Sequence, residues 1–572
     1  MLTRAPLIPA YALLLAVAVT APLLAPGYLL LRDAVSTPRS YLTDAALGLS
    51  EAAPRALPQD FFVAVLSPVI DGGVLVKGLL VVGLWLAGWG AARLAATVLP
   101  ESGLAGRFVA ATLTVWNPYV AERLLQGHWS LLVGYGCLPW VAVAMLRLRT
   151  SGAALGALGF WVAAAGLTPT GLMLAATVAL VCVAAPGGGW PRWRCAVAGL
   201  GAAVVAALPW LVAAAVARSL ASSQAEGVAA FAARAEPGLG TLLSLAGLGG
   251  IWNGEAVPAS RTTLFAVVAT VVLLGVVALG LPVAVRRPAA VPLLVLAAVA
   301  VVVPALMATG PGLAATEAVI RTLPGLGVLR DAQKWVALAV PGYAVAGAGA
   351  VLALRRVPAA ATAAVCCAAV VAVLPDLAWG VGGKVVPVHY PRGWAEVAAS
   401  INAEPAPVAV LPPDSMRRFS WTGAAPVLDP LPRWVRAEVL STGDLVVGGR
   451  TVPGEGRRAR EIQEMVLAGA SAEELADAGV GWIVVESPLA TGRLDLPAAY
   501  ADDDIALYRV GGSGAGAAGR AVVVAAHLAW LALLIGGGLA AVWGRLRSAQ
   551  RDRCAEQRQL ILSKINYFLT HT

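Results

Sequence analysis

The chain has 572 residues, of which 13% are charged and 59% are hydrophobic, and its mean hydropathy is +0.78. Soluble proteins carry about 25% charged residues, so these values exclude a disordered protein, a coiled coil and an ordinary cytosolic enzyme. They indicate a polytopic membrane protein. The net charge of +9 is carried by arginines in the loops between apolar runs, which fits membrane topology better than nucleic-acid binding.

Apolar runs long enough to cross a bilayer predict about twelve transmembrane helices. The runs are 7–31, 74–98, 106–121, 129–146, 152–167, 169–186, 195–217, 262–285, 289–308, 333–354, 358–377 and 519–543. The first run is too long for the core of a cleaved signal peptide, so we expect it to be retained. The runs 152–167 and 169–186 are short, and merging them would reverse the orientation of every later span.

The positions of the arginines predict the orientation of these spans. With a cytoplasmic N-terminus, almost every short inner loop contains basic residues, as the positive-inside rule requires. These residues are Arg107, Arg147, Arg149, Arg192, Arg194, Arg286, Arg287, Arg355, Arg356, Arg545 and Arg547. The long segments 32–73, 218–261, 309–332 and 378–518 then lie outside. The pattern predicts a multi-pass protein of the plasma (inner) membrane.

Segment 378–518 differs in composition from the polytopic domain 1–377 before it. Val408–Leu411, Gly481–Glu486 and Ile505–Val510 are predicted strands, and 457–467 and 472–478 are predicted helices. Helices between strands indicate a small extracytoplasmic α/β domain. It precedes the last span, 519–543, and a basic cytoplasmic tail, 544–572.

Several common catalytic patterns are missing from the sequence. None of the six cysteines has the spacing of a metal site. There is no GxxxxGK[ST] or GxGxxG loop, no HExxH and no GxSxG elbow. ATP-driven transport and serine hydrolysis therefore have no support.

The first outer loop contains two candidate catalytic carboxylates. Asp33 follows the first span directly, beside Arg32, and Asp44 lies eleven residues further on. A carboxylate at the membrane boundary can act as a general base on a hydroxyl, or orient a metal ion, while a lipid-linked substrate stays in the bilayer. The alternative is a solvated residue that marks the end of the helix.

A second polar stretch, WNPYVAERLLQGHW, contains Glu122, Arg123 and His128 at the predicted outer interface. His128 could donate to a phosphate or assist proton transfer. The alternative is an interfacial tryptophan and tyrosine anchor with its charges in water.

A third stretch, RTLPGLGVLRDAQKW, places Arg330 and Lys334 on the outer side. Cations there oppose the positive-inside trend, and an anionic phosphate headgroup would explain them. The alternative is that Arg330 and Asp331 only begin the next helix.

These features resemble the GT-C superfamily of polyprenyl-phosphate-sugar-dependent glycosyltransferases, in particular large actinobacterial membrane proteins. The likeness rests on Asp33 after the first span, the number of spans, the long outer loops, and the strands GWIVVE and IALYRV. WNPYVAERLLQGHW and VLRDAQKW resemble segments of that group, but a paired-acid motif is absent after Asp33.

The resemblance implies that Asp33, and less directly Asp44, is a base or orients a metal. It implies that Arg330 and Lys334 hold the lipid phosphate, with Arg123, His128 and Glu122 as further substrate-binding candidates. No cofactor is certain, and a divalent cation is left open.

The sequence is compatible with two functions. One is transfer of a sugar from a polyprenyl-phosphate donor to an envelope glycan or lipid acceptor outside the plasma membrane. The other is a non-catalytic transporter or scaffold for envelope lipids or glycans. A transporter should have broken helices and mid-membrane ionisable residues. The sequence shows neither clearly, which favours the transferase.

Overall fold

The computed structural model describes residues 6–51, 56–217, 227–447, 450–487, 494–514 and 516–571. The helices before the predicted α/β domain are Leu7–Thr20 (α1), Gln59–Leu66 (α2), Gly72–Val98 (α3), Gly103–Val115 (α4), Pro118–Leu125 (α5), Trp129–Ser151 (α6), Leu155–Ala165 (α7), Pro169–Cys182 (α8), Arg192–Val216 (α9), Thr241–Ala246 (α10), Phe265–Ala284 (α11), Val291–Met307 (α12), Gly310–Thr322 (α13), Val340–Ala353 (α14), Ala359–Ala372 (α15) and Ala378–Gly383 (α16).

The later helices are Arg392–Ala403 (α17), Leu431–Trp434 (α18), Arg457–Leu467 (α19), Ala472–Asp477 (α20) and Arg520–His571 (α21). The strands are Leu30–Leu31 (β1), Ala34–Val35 (β2), Val408–Leu411 (β3), Met416–Arg417 (β4), Val427–Leu428 (β5), Val439–Leu440 (β6), Leu445–Val447 (β7), Arg450–Val452 (β8), Trp482–Glu486 (β9), Ala498–Ala501 (β10) and Ile505–Arg509 (β11).

The described residues contain seven helices that are long and apolar enough to cross a membrane, or up to nine if each of two bent pairs is one span. The expected number of twelve is therefore not confirmed. The short runs form α7 and α8, with 11 and 14 residues. The run 106–121 is interrupted because Asn117 caps a new helix, accepting from the N–H of Val120 at 3.1 Å, and Pro118 follows it.

The two bent pairs were not expected from the sequence. The axes of α12 and α13 meet at 92°, and a second pair, α15 with 375–383, is bent by 74°. Helix α16 is left-handed over four residues, including Trp379 and Val381 with φ of 58° and 51°. Such a backbone is strained for residues that carry a side chain.

Residues after 390 form an α/β unit around a five-stranded sheet of order β10-β11-β9-β3-β6. Strand β3 is parallel to both of its neighbours, β9 and β6. Strand β11 is antiparallel to both of its neighbours, β9 and β10. The α17 residues Trp394, Val397 and Ile401 pack on one face, and α19 and α20 pack on the other. The three main strands and both predicted helices lie within one or two residues of their expected positions.

The α/β unit is joined to the first outer loop by backbone hydrogen bonds. The Arg32 N–H donates to Pro426 O at 2.9 Å, and the Leu428 N–H donates to Arg32 O at 2.8 Å. Strand β5 therefore lies against the β1–β2 turn. An ion pair of 3.0 Å between Arg433 and Asp60 also connects the α/β unit to the first outer loop. These contacts with the α/β unit thus hold the backbone of the turn that contains Asp33.

Candidate functional site

Asp33 stands in the tight turn between β1 and β2, where the preceding residue is strained. Arg32 has a φ of 49°, a region that L-residues rarely adopt. Its buried guanidinium donates to Leu125 O at 2.5 Å and to Glu255 O at 3.1 Å. These bonds and the β5 contacts hold the strained turn in place.

Gly127 allows the β1–β2 turn to pack closely against the second polar stretch. Gly127 has a φ of 81°, and a Cβ atom there would lie 2.2 Å from Leu31 O and 2.4 Å from the Ala34 nitrogen. Only glycine therefore fits between the first loop and the start of α6. This close approach brings His128 to Asp33.

Asp33 is held on one side and open on the other. Its Oδ2 is 2.9 Å from His128 Nε2 and accepts from Gln126 Nε2 at 3.0 Å. No donor in the described part of the chain contacts Oδ1, and the side chain is 42% exposed. Burial would raise the pKa of Asp33, but the hydrogen bonds from His128 and Gln126 outweigh it and hold the pKa below its ordinary value. Asp33 is therefore an ionised, accessible carboxylate.

The hydrogen-bond partners of His128 define its tautomer. Arg123 Nη1 lies 3.2 Å from His128 Nδ1. A guanidinium can only donate, so Nδ1 is the acceptor and the proton is on Nε2, which donates to Asp33. Burial lowers the pKa of His128, although the bond to Asp33 opposes this. His128 is thus a neutral donor, and Arg123 blocks proton transfer beyond it.

Arg123 is fully buried and joins the second polar stretch to the third. Its Nη1 and Nη2 donate to the two oxygens of Asp331 at 2.8 and 3.1 Å, and Nη2 also donates to Gln333. This bidentate pair spans 208 residues of sequence. Burial would raise the pKa of Asp331, but the charges of Arg123 and Lys334 hold it well below its ordinary value.

Glu122, the residue before Arg123, is fully buried. It accepts from Gln333 Nε2 at 2.9 Å and from the Gly250 N–H at 3.1 Å. Burial, reinforced by the nearby charge of Glu236, raises the pKa of Glu122 well above its ordinary value. Its contacts with Gln333 and Gly250 give Glu122 a supporting position between the third stretch and the loop before α11.

Lys334 lies at the open side of the network. Its Nζ is 3.6 Å from Asp331 Oδ2, and its side chain is 23% exposed. Its charge also acts on Asp33 and His128. The site therefore presents one open carboxylate and one accessible ammonium group.

The other two sequence candidates lie elsewhere. Asp44 forms an ion pair with Arg520 and accepts from the Ala517 N–H at 2.9 Å, so it ties the first loop to α21. Arg330 lies over the ring of Phe231, 5.4 Å from its centroid, and lines a small cavity that Asp33 does not line.

Contacts connect Asp33, His128, Arg123, Glu122 and Lys334 directly or through Gln333 and Asp331, whereas Asp44 pairs with Arg520 and Arg330 lies over the Phe231 ring. Sequence analysis did not single out Gln126 or Gln333, and it gave Asp331 a role only in the alternative interpretation, as part of a helix start. One local pattern could have indicated Asp331 and Gln333. In the segment DAQK an acid, an amide and a lysine directly precede an apolar run.

The residues around Asp33 do not fit a divalent cation. Such an ion prefers several carboxylate or carbonyl oxygens, and the described residues contain no group of three or more His, Cys, Asp or Glu that could hold one. Asp33 instead has Lys334 nearby and nitrogen donors on Oδ2. We therefore derive no step through a metal.

Comparison with known proteins gives one likeness of fold. No family model and no curated protein matches the chain. A single-particle cryo-EM structure of the arabinofuranosyltransferase AftD from mycobacteria matches with a TM-score of 0.51 and 18% identity, over 89% of this chain and 41% of that one. The chain therefore spans about two fifths of that protein's length. At this identity the likeness concerns the fold alone.

Proposed function

We propose that this chain is a membrane glycosyltransferase that uses a polyprenyl-phosphate sugar and an envelope glycan or lipid acceptor. The observation that carries the proposal is Asp33, an ionised carboxylate with one open oxygen. The fold shared with an arabinofuranosyltransferase supports the same conclusion. A transferase needs such a base where a lipid-linked donor and an acceptor hydroxyl can meet.

The proposed reaction is an inverting displacement. The acceptor oxygen forms a bond to the anomeric carbon of the sugar, and the bond from that carbon to the phosphate oxygen breaks. The hydroxyl proton goes to Oδ1 of Asp33, and the lipid phosphate leaves with the bonding electrons. Lys334, rather than Arg330 over the Phe231 ring, is the cation that we assign to stabilise the phosphate charge.

We also propose the orientation that the arginine pattern predicts. Asp33, His128 and the α/β unit then face outside the plasma membrane, and the N-terminus is cytoplasmic. The helices support this arrangement, since α3 and α6 begin near Asp33 and carry Arg93 and Arg147 towards their other ends.

The proposed function is tested by measuring the release of polyprenyl phosphate, the leaving group of the reaction. Purified chain in nanodiscs is mixed with a panel of polyprenyl-phosphate sugars and an envelope extract as acceptor. We expect release of polyprenyl phosphate with one donor, dependent on the acceptor. In parallel, a deletion strain should lose one envelope glycan linkage. No release with any donor, together with unchanged glycans in the deletion strain, would count against a transferase.

The bent pairs favour the transporter as the second candidate function. Broken helices are typical of transporters, and the structure contains two such breaks. This alternative predicts that the deletion strain accumulates an unexported lipid or glycan while every linkage is still made.

The dependence of transfer on pH should reveal the role of His128. His128→Leu removes the donor to Asp33, so the pKa of Asp33 should rise and the acidic limb of kcat/KM should move to higher pH. His128→Gln retains an N–H donor and should shift the limb less. Identical profiles for His128→Leu and the unmodified protein would show that His128 does not act on Asp33.

A further inference from the structure

The loop between α10 and α11 is connected to Asp33 through two neighbouring side chains. Asn253 Nδ2 in this loop donates to Gln126 Oε1 at 2.8 Å, and Gln126 Nε2 donates to Asp33 Oδ2 at 3.0 Å. The same loop holds the residue before Asp33, since Glu255 O accepts from Arg32 Nη2 at 3.1 Å. We call the hydrogen bonds that run from Asn253 through Gln126 to Asp33 the amide relay.

The direction of the amide relay is fixed at both ends. At one end, the Glu255 N–H donates to Asn253 Oδ1 at 3.1 Å. A backbone N–H can only donate, so the amide oxygen of Asn253 faces it and the amide nitrogen faces Gln126. At the other end, the ionised carboxylate of Asp33 can only accept. Gln126 therefore presents Oε1 to Asn253 and Nε2 to Asp33, because the reverse orientation would place oxygen against oxygen and nitrogen against nitrogen.

Gln126 is buried and is bound to Asp33 through its backbone as well as its side chain. The residue is 3% exposed, and its carbonyl oxygen accepts from the Asp33 N–H at 3.2 Å. In the described part of the chain, Asn253 and Asp33 are the partners of its amide group. The hydrogen bond from Gln126 lowers the pKa of Asp33. A change at Asn253 therefore reaches Asp33 through this amide.

We propose that Asn253 is a positioning residue of the transferase, which orients the Gln126 amide so that Asp33 receives a donor on Oδ2 and keeps Oδ1 free for the acceptor hydroxyl. Its catalytic consequence rests on the proposed function, whereas the amide relay stands on the contacts alone. Asn253 also caps the short 3₁₀ helix Gly254–Ala256, but the cap uses only Oδ1. Aspartate caps helices about as well as asparagine, so the cap does not require the donor Nδ2.

Asn253→Asp tests the amide relay because it keeps the cap and the size of the side chain. The new carboxylate can only accept, so Gln126 Nε2 should turn to it and leave Oε1 facing Asp33. The full chain in nanodiscs is treated with a carbodiimide and glycine ethyl ester, which modify protonated carboxyl groups, and mass spectrometry measures labelling of Asp33 as a function of pH. We expect the midpoint to rise by about 1 pH unit. The variant retains the charged groups that act on Asp33 or pair with its neighbour, which are His128, Lys334, Arg32 and Glu255.

A double-mutant cycle separates the amide relay from the effect of the new charge. In a Gln126→Met background, Asn253→Asp acts on Asp33 only through space, so most of the shift should disappear. Asn402→Asp is the matched control. Asn402 likewise accepts from a backbone N–H at 2.7 Å and donates to a backbone carbonyl at 3.2 Å, but it does so within the α/β unit. Its substitution should leave the midpoint of Asp33 unchanged.

The outcomes distinguish failure of the amide relay from failure of the proposed function. An unchanged midpoint in Asn253→Asp, or an equal shift in the Gln126→Met background, would overturn the amide relay. In an active chain, the acidic limb of kcat/KM should move to higher pH together with the labelling midpoint, and melting curves should change little. A shifted midpoint with an unmoved limb would remove the positioning role, and a shifted midpoint in a chain that transfers no sugar would contradict the proposed function instead.

Discussion

Replacing Asp33 with asparagine is expected to lower sugar transfer by about 10²–10⁴-fold, the usual contribution of general base catalysis. The substitution keeps the size of the side chain, and the asparagine oxygen can still accept from His128 Nε2. Folding should therefore change little, because the side chain is 42% exposed and surface substitutions usually change stability by no more than about 0.5 kcal/mol. Release of polyprenyl phosphate by the purified variant measures the loss, and its melting curve controls for folding.

Asp44→Asn is the matched control for this experiment. It is the same chemical change in the same loop, but it breaks a partly exposed pair with Arg520, which contributes at most about 1 kcal/mol. Transfer by Asp44→Asn should remain close to that of the unmodified protein. Full activity of Asp33→Asn would remove the catalytic assignment, and a loss confined to Asp44→Asn would move it to Asp44.

Replacing Arg123 with methionine should destabilise the protein more than any other single change in the site. Arg123 is fully buried and pairs with both oxygens of Asp331. Removing one partner of a buried ion pair costs about 3–5 kcal/mol, because the other charge is left in a medium of low dielectric. Chemical unfolding in detergent, followed by the fluorescence of the tryptophans, should show an earlier transition or no folded protein.

A second substitution separates the roles of Arg123 in stability and in activity. Arg123→Met/Asp331→Leu removes both charges and should regain much of the stability, but His128 would lose the donor that fixes its tautomer, so transfer should stay low. Arg287→Gln breaks an exposed pair with Glu101 and should change stability by about 1 kcal/mol or less. If Arg123→Met were as stable as Arg287→Gln, the buried network would not hold the site together.

The hydrophobic runs and local strand patterns could be read from the sequence because both depend on neighbouring residues. The length and apolar character of the runs indicate membrane helices, and the strands β3, β9 and β11 follow from short β-rich segments between polar turns. The number of spans could not be obtained this way. Length alone does not reveal that Asn117 and Pro118 end one helix and begin another, or that α12 and α13 meet at 92°.

The membrane class, the main elements of the α/β unit and the three polar stretches of the candidate site could all be obtained from local patterns in the chain. Which of their charges meet depends on how the chain folds. Arg123 and Asp331 are far apart in the chain, and their pairing depends on how the helices pack around them. The sequence offers Asp44 as a less direct catalytic candidate and Arg330 as a phosphate-binding one, but Asp44 pairs with Arg520 and Arg330 packs on Phe231. Residue type and local spacing set the chemistry a side chain can perform, whereas its partners, and therefore its protonation state, are set by long-range contacts that no local pattern contains.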